Sequence, residues 1–163
     1  MVYQRTSVKR ARPKSRWSHE NKGCLMTSGQ QLTNGVFQSG SVVVPSITTQ
    51  GTRTVGRFDI TVPVPANQNQ ADIYWALVYV PQGTTANPLF ATTGSVEGSL
   101  YEPNQYVIAS GISDNNAGPI RIRSRYMRIL HSGDFISLII GSTFQIGTDI
   151  PVRALVSYNV KYN

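Results

Sequence analysis

An all-β sandwich is the fold class this sequence predicts, and three observations carry the prediction. After residue 23, Thr, Val, Ile, Tyr and Phe abound, and Gly, Pro, Asn and Ser punctuate them at short intervals. Several stretches alternate apolar and polar residues with a period of two. No stretch carries a convincing apolar period of 3.6 residues. The chain has 163 residues, so one domain is expected. A domain of ~140 residues buries about two thirds of its unfolded surface, enough for a core without a disulfide or a metal. The one cysteine, Cys24, excludes an intrachain disulfide.

Eight strands are expected. Gln31–Gln38 and Ser41–Ile47 are short β-rich runs. In Arg53–Val64, the residues Phe58, Ile60, Val62 and Val64 share one face. Asp72–Val80 ends in the apolar run Ala76–Val80, and Gln105–Ser110 follows a long connection. In Pro119–Leu130, Arg121, Arg123 and Arg125 project from one face, Ile120, Ile122, Tyr126 and Leu130 from the other, and Arg128 joins the apolar side. Phe135–Ser142 is apolar on both faces apart from Ser137 until Ile140, as a central strand covered twice would be. In Val152–Tyr162, Ala154, Val156, Tyr158, Val160 and Tyr162 share one face, and Arg153, Ser157, Asn159 and Lys161 point the other way. His131-Ser132-Gly133 makes a tight turn. Pro81–Asn104 is a long Gly-, Thr-, Pro- and Ser-rich connection, of the kind that usually functions or takes part in assembly. Short hairpins with a few long loops predict a two-sheet antiparallel sandwich of Greek-key or jelly-roll type, with no internal repeat.

Charge divides the chain. The net charge is +7. Residues 1–22 hold Arg5, Lys9, Arg10, Arg12, Lys14, Arg16 and Lys22 against Glu20, a net of +6, while residues 23–163 hold eight bases and seven acids, a net of +1. The expected organisation is a basic arm, 1–22, and a nearly neutral shell domain, 23–163. The arm has few large apolar residues and no period, so it is expected to be disordered in isolation. Such tails bind nucleic acid through phosphate, without sequence preference and with strong salt dependence. Trp17 either stacks on unpaired bases or anchors the arm to the domain. The cluster Lys9–Arg16 also has the composition of a nuclear localisation signal. Arg121, Arg123 and Arg125 repel one another unless carboxylates or phosphates meet them. Three readings stand side by side: a lining that faces a genome, ion pairs across a subunit contact with acids such as Glu97 or Glu102, and a plain solvated face.

No catalytic constellation emerges, and no enzyme is expected. There is no Gly-x-Ser-x-Gly elbow, Walker loop or His-Glu-x-x-His pair. His19 and His131 are the only histidines, so an ordinary zinc site is excluded. His131 beside Asp134 reads as a hydrogen-bonded turn. Asp114, Asn115, Asn116, Glu97, Glu102 and Asp149 are oxygen donors suited to Ca²⁺, yet Asp and Asn in turns more often bond the backbone. No metal or cofactor is expected. Apolar runs fall far short of the ~20 residues that span a bilayer, and no secretory signal is evident, so no membrane partner is expected.

In its basic arm, its short strands and the segments Asp72–Pro81 (DIYWALVYVP), Leu100–Gly111 (LYEPNQYVIASG) and Ile120–Ile140 (IRIRSRYMRILHSGDFISLII), the chain resembles the single jelly-roll coat proteins of small circular single-stranded DNA viruses, the circovirus-like group that encodes a replication initiator. Its arm is shorter and less Arg-dense than theirs. Satellite plant RNA viruses have coat proteins of similar size and plan, so DNA and RNA genomes both stay open. The resemblance implies an icosahedral shell of identical copies around a single-stranded genome, DNA in that group. It implies location in the virion, with passage through the host nucleus by way of the basic arm, and an unspecified host receptor. A shell of about sixty copies would bring roughly 360 arm charges inside. The rival expectation is a cellular single-strand-binding barrel of the OB type. It predicts basic and aromatic residues on the folded strands rather than in a tail.

Overall fold

The structure is a computed structural model, and it describes residues 16–26, 37–49, 51–63, 72–86, 106–142 and 152–163. The strands among them are β1 (Ser18–Met26), β2 (Phe37–Val44), β3 (Arg53–Val62), β4 (Asp72–Val80), β5 (Tyr106–Asp114), β6 (Ile120–Leu130), β7 (Phe135–Ser142) and β8 (Val152–Tyr162). The only helical piece described is a 3₁₀ turn, Asn115–Ala117. No helix among the described residues is long and apolar enough to cross a membrane.

Two four-stranded antiparallel sheets form, in the orders β1-β8-β3-β6 and β2-β7-β4-β5. The first strand pairs with the last, the second with the seventh, the third with the sixth and the fourth with the fifth. One long antiparallel hairpin rolled into two sheets gives this order, which is the jelly-roll connectivity. An OB barrel, with five strands, has a different plan.

The core lies between the sheets. Phe58, Ile60 and Val62 of β3, Ile120 and Ile122 of β6, and Ala154, Val156, Tyr158 and Val160 of β8 face Ile73, Leu77, Ile136, Leu138 and Ile140 of the second sheet. Tyr162, expected on the inward face of β8, is exposed at its end. The central strand β7 is covered on both faces: Ile139 packs with Ala76, Val78 and Val80 in a second cluster on the outer side.

Several strand boundaries depart from expectation. β1 starts at Ser18, so residues 18–22, expected in the arm, pair with β8 from Ser18↔Val160 to Lys22↔Val156. This is an edge strand, mostly exposed on both faces, so it lacks the apolar alternation that marks a strand in sequence. β2 runs from Phe37 through Ser39 and Gly40 to Val44, joining what reads as two strands. It stops at Pro45, which has no N–H to donate. Gln31–Val36 lie outside the described residues. β5 continues to Asp114, where the Asp114 carboxylate accepts from the Asn116 N–H at 2.8 Å.

Candidate nucleic-acid interface

β6 has the expected period of two in its first half. Ile120, Ile122 and Ser124 are buried, and Arg121, Arg123 and Arg125 stand exposed on the outer face of the first sheet. Register places Thr61 beside Arg121 and Asp59 beside Arg123. The strand order adds cations that β6 alone does not reveal. On β8, Arg153 and Lys161 alternate with the buried Ala154, Val156, Tyr158 and Val160, so they project from the same outer face. Arg57 is exposed at a break in the β3 ladders. Asp59 is the only acidic side chain among the described residues that projects from this face. It pairs with Arg123 at 3.3 Å, with both side chains half exposed or more. Such a solvated pair contributes ~0–1 kcal/mol and leaves most of the positive field standing.

The basic segment enters this same sheet. Arg16 and Trp17 are exposed immediately before β1, the edge strand opposite β6. On β1, the His19 ring meets Asn159 Oδ1 at 2.7 Å. Lys22 projects from the other side, where Nζ donates to Val42 O at 3.4 Å, so it does not join the outer-face group. Arg5, Lys9, Arg10, Arg12 and Lys14 lie outside the described residues, as do Glu97, Glu102 and Asp149.

A second constellation was not visible in the sequence. Arg128 turns to the inner side of β6, its guanidinium 4.4 Å from the Tyr79 ring centre and 5.2 Å from that of Tyr106. The two tyrosine rings are 5.8 Å apart. A cavity of about 330 Å³ opens here between β5 and β6, lined by Phe58, Tyr79, Tyr106, Val107, Ile108, Tyr126, Met127 and Arg128. Below it, Tyr79 donates to Asp134 Oδ2 at 2.8 Å. Burial and that carboxylate push the Tyr79 phenol above its ordinary pKa, against the opposing pull of Arg128.

Asp134 is buried and holds a turn together. Its carboxylate also accepts from the backbone N–H of Gln82 at 3.0 Å and of His131 at 2.8 Å. The Asp134 carboxylate thus meets the backbone of His131. Gly133, at φ 84°, supplies the left-handed residue the turn requires. Arg53 is buried beside it and donates to Pro45 O and Asp134 O. Among the described residues no cluster of three His, Cys, Asp or Glu side chains gathers.

No family model matches this chain, and no curated protein matches it either. Among solved structures, one titled "Structure of infectious bursal disease virus Gt strain" aligns over 99% of this chain and 45% of that chain, at 11% identity and a TM-score of 0.18.

Proposed function

We propose that this chain is the coat protein of a small non-enveloped virus. Copies of the jelly roll close into an icosahedral shell, and the outer face of the β1-β8-β3-β6 sheet turns to the lumen with the basic arm. There both hold a packaged single-stranded genome, DNA by the resemblance of the sequence. One observation carries the reading. The sheet that receives the basic segment at β1 also presents Arg121, Arg123, Arg125, Arg153 and Lys161 against Asp59, the single acid on that face among the described residues. Like charges aligned on one sheet face destabilise it unless an anion sits over them. Phosphate is the anion that a basic tail also attracts, and its binding releases counterions. Phosphate contacts position a nucleic acid without specifying its sequence, so packaging is indifferent to sequence.

Electron microscopy of the purified full-length chain, with the absorbance ratio at 260 and 280 nm, tests this. Uniform shells about 15–25 nm across that hold nucleic acid are expected, as closed symmetry around many small domains requires. In the triple variant R121A/R123A/R125A, shells should still form and carry less nucleic acid. Unchanged nucleic acid in intact shells would remove the sheet from the lumen. A monomer at every salt concentration would discard the coat-protein reading.

A further inference from the structure

The cavity between β5 and β6 sits where the sandwich is open. β5 and β6 are edge strands of opposite sheets, with no ladder between them. Exposed apolar residues gather along this flank: Tyr106, Val107 and Ile112 on β5, and Tyr126, Met127 and Ile129 on β6. Four aromatic rings line the cavity, and Arg128 is its only charged lining residue. No acidic side chain among the described residues lies within ion-pair distance of Arg128; Arg123–Asp59 is the one such pair there. At about 330 Å³ the space falls at the small end of ligand clefts, which run from ~300 to 1,000 Å³.

We propose that this cavity receives one unpaired base of a single-stranded nucleic acid, stacked against Tyr106 and Tyr126, with the Arg128 guanidinium drawing the adjoining phosphate. The inference rests on the genome-binding reading above and deepens it. Arg125, the last of the outer-face arginines, immediately precedes Tyr126, which lines the cavity. Aromatic rings beside arginine form the stacking platform by which single strands are held without regard to sequence. A duplex does not supply the ligand, because its bases are already paired and stacked. Charge also selects the occupant. The flank carries Arg125 and Arg128, and a second copy of this +7 chain docked there isologously would bring those cations together. An anionic strand relieves the repulsion.

Fluorescence anisotropy of the full-length chain tests the proposal with three labelled probes of equal length: a single-stranded oligonucleotide, the same backbone without bases, and a duplex. The intact single strand should bind roughly fivefold to a hundredfold more tightly than the abasic one, the increment of one stacked base. Tyr126→Ala and Tyr106→Ala alter exposed residues, so both should fold; each should shrink the ratio of intact to abasic affinity. Equal affinity of the wild-type chain for intact and abasic strands would overturn the base site and leave the phosphate-binding reading intact. Failure to bind any probe would overturn both. If the tyrosine variants keep the preference and instead impair shell formation, the flank is a contact between copies and the base site is wrong.

Discussion

Asp134 serves three donors from one buried carboxylate: the Tyr79 hydroxyl, the Gln82 N–H and the His131 N–H. It ties the turn before β7 to the end of β4, beneath the aromatic cavity. Hydrogen bonds to a charged group contribute ~1.5–3 kcal/mol each when measured by deletion. Asp134→Ala should therefore cost about 2–4 kcal/mol, because two part-buried backbone N–H groups and the Tyr79 hydroxyl lose their acceptor, and urea unfolding would read it as a lower midpoint. Tyr79→Phe should cost about 1–2 kcal/mol at neutral pH, since two N–H donors still hold the carboxylate. Alkali adds a second signature. The folded-state pKa of Tyr79 is raised above its ordinary value of 10.0, chiefly by burial. The stabilisation is complete below that ordinary value and is lost as pH rises toward the folded one. The wild type should lose stability above about pH 10, and Tyr79→Phe should lose less over the same range.

The element that decides the shape of the candidate interface is β3. Both its ladders shift register around Arg57, which takes φ 56°. The inward series changes there from Arg53 and Val55 to Phe58, Ile60 and Val62, so two residues three apart both face the core. A non-glycine residue in this region costs roughly 1–2 kcal/mol, and a β-branched one more. Arg57→Gly should be neutral or mildly stabilising in thermal unfolding, while Arg57→Val should lower the midpoint clearly. Its neighbour Gly56 is constrained by approach rather than dihedral. A Cβ there would meet Tyr126 O at 2.7 Å and the Met127 Cα at 2.9 Å. Those are backbone positions that a rotamer change cannot move. Gly56→Ala should thus separate β3 from β6 and disturb the arginine face and the cavity together, which the oligonucleotide preference and the unfolding midpoint would both report.

At the scale of the molecule, the boundary between arm and domain matters most. Residues 18–26 cover the β8 edge with a full ladder. A chain lacking residues 1–15 keeps β1, and should unfold at nearly the wild-type midpoint while assembling shells with less nucleic acid. A chain lacking residues 1–26 leaves the N–H and C=O groups of β8 unpaired on one side, a template for aggregation. It should be insoluble or assemble irregularly, and light scattering separates the two truncations. Identical behaviour of both would mean that β1 adds nothing to the closure of the first sheet.

Much of this was legible in the chain itself. The all-β class, the inward faces of β3, β6 and β8, the doubly covered β7 and the outward Arg121, Arg123 and Arg125 follow from period-two alternation, which depends only on the pleat. Arg128 on the apolar side of β6 was readable for the same reason, but its tyrosine partners were not. Tertiary structure alone decided which strands lie side by side. Arg153 and Lys161 join the β6 arginines only because β8 and β6 flank β3, and Arg128 meets Tyr79 and Tyr106 only because β5 and β6 end opposite sheets at one open side. β1 stayed hidden because an edge strand that is mostly exposed, with only Cys24 buried among its described side chains, has little apolar pattern to show. Its place comes from hydrogen bonds to β8, and the paired residues lie 126 to 142 positions apart, from Met26↔Val152 to Ser18↔Val160.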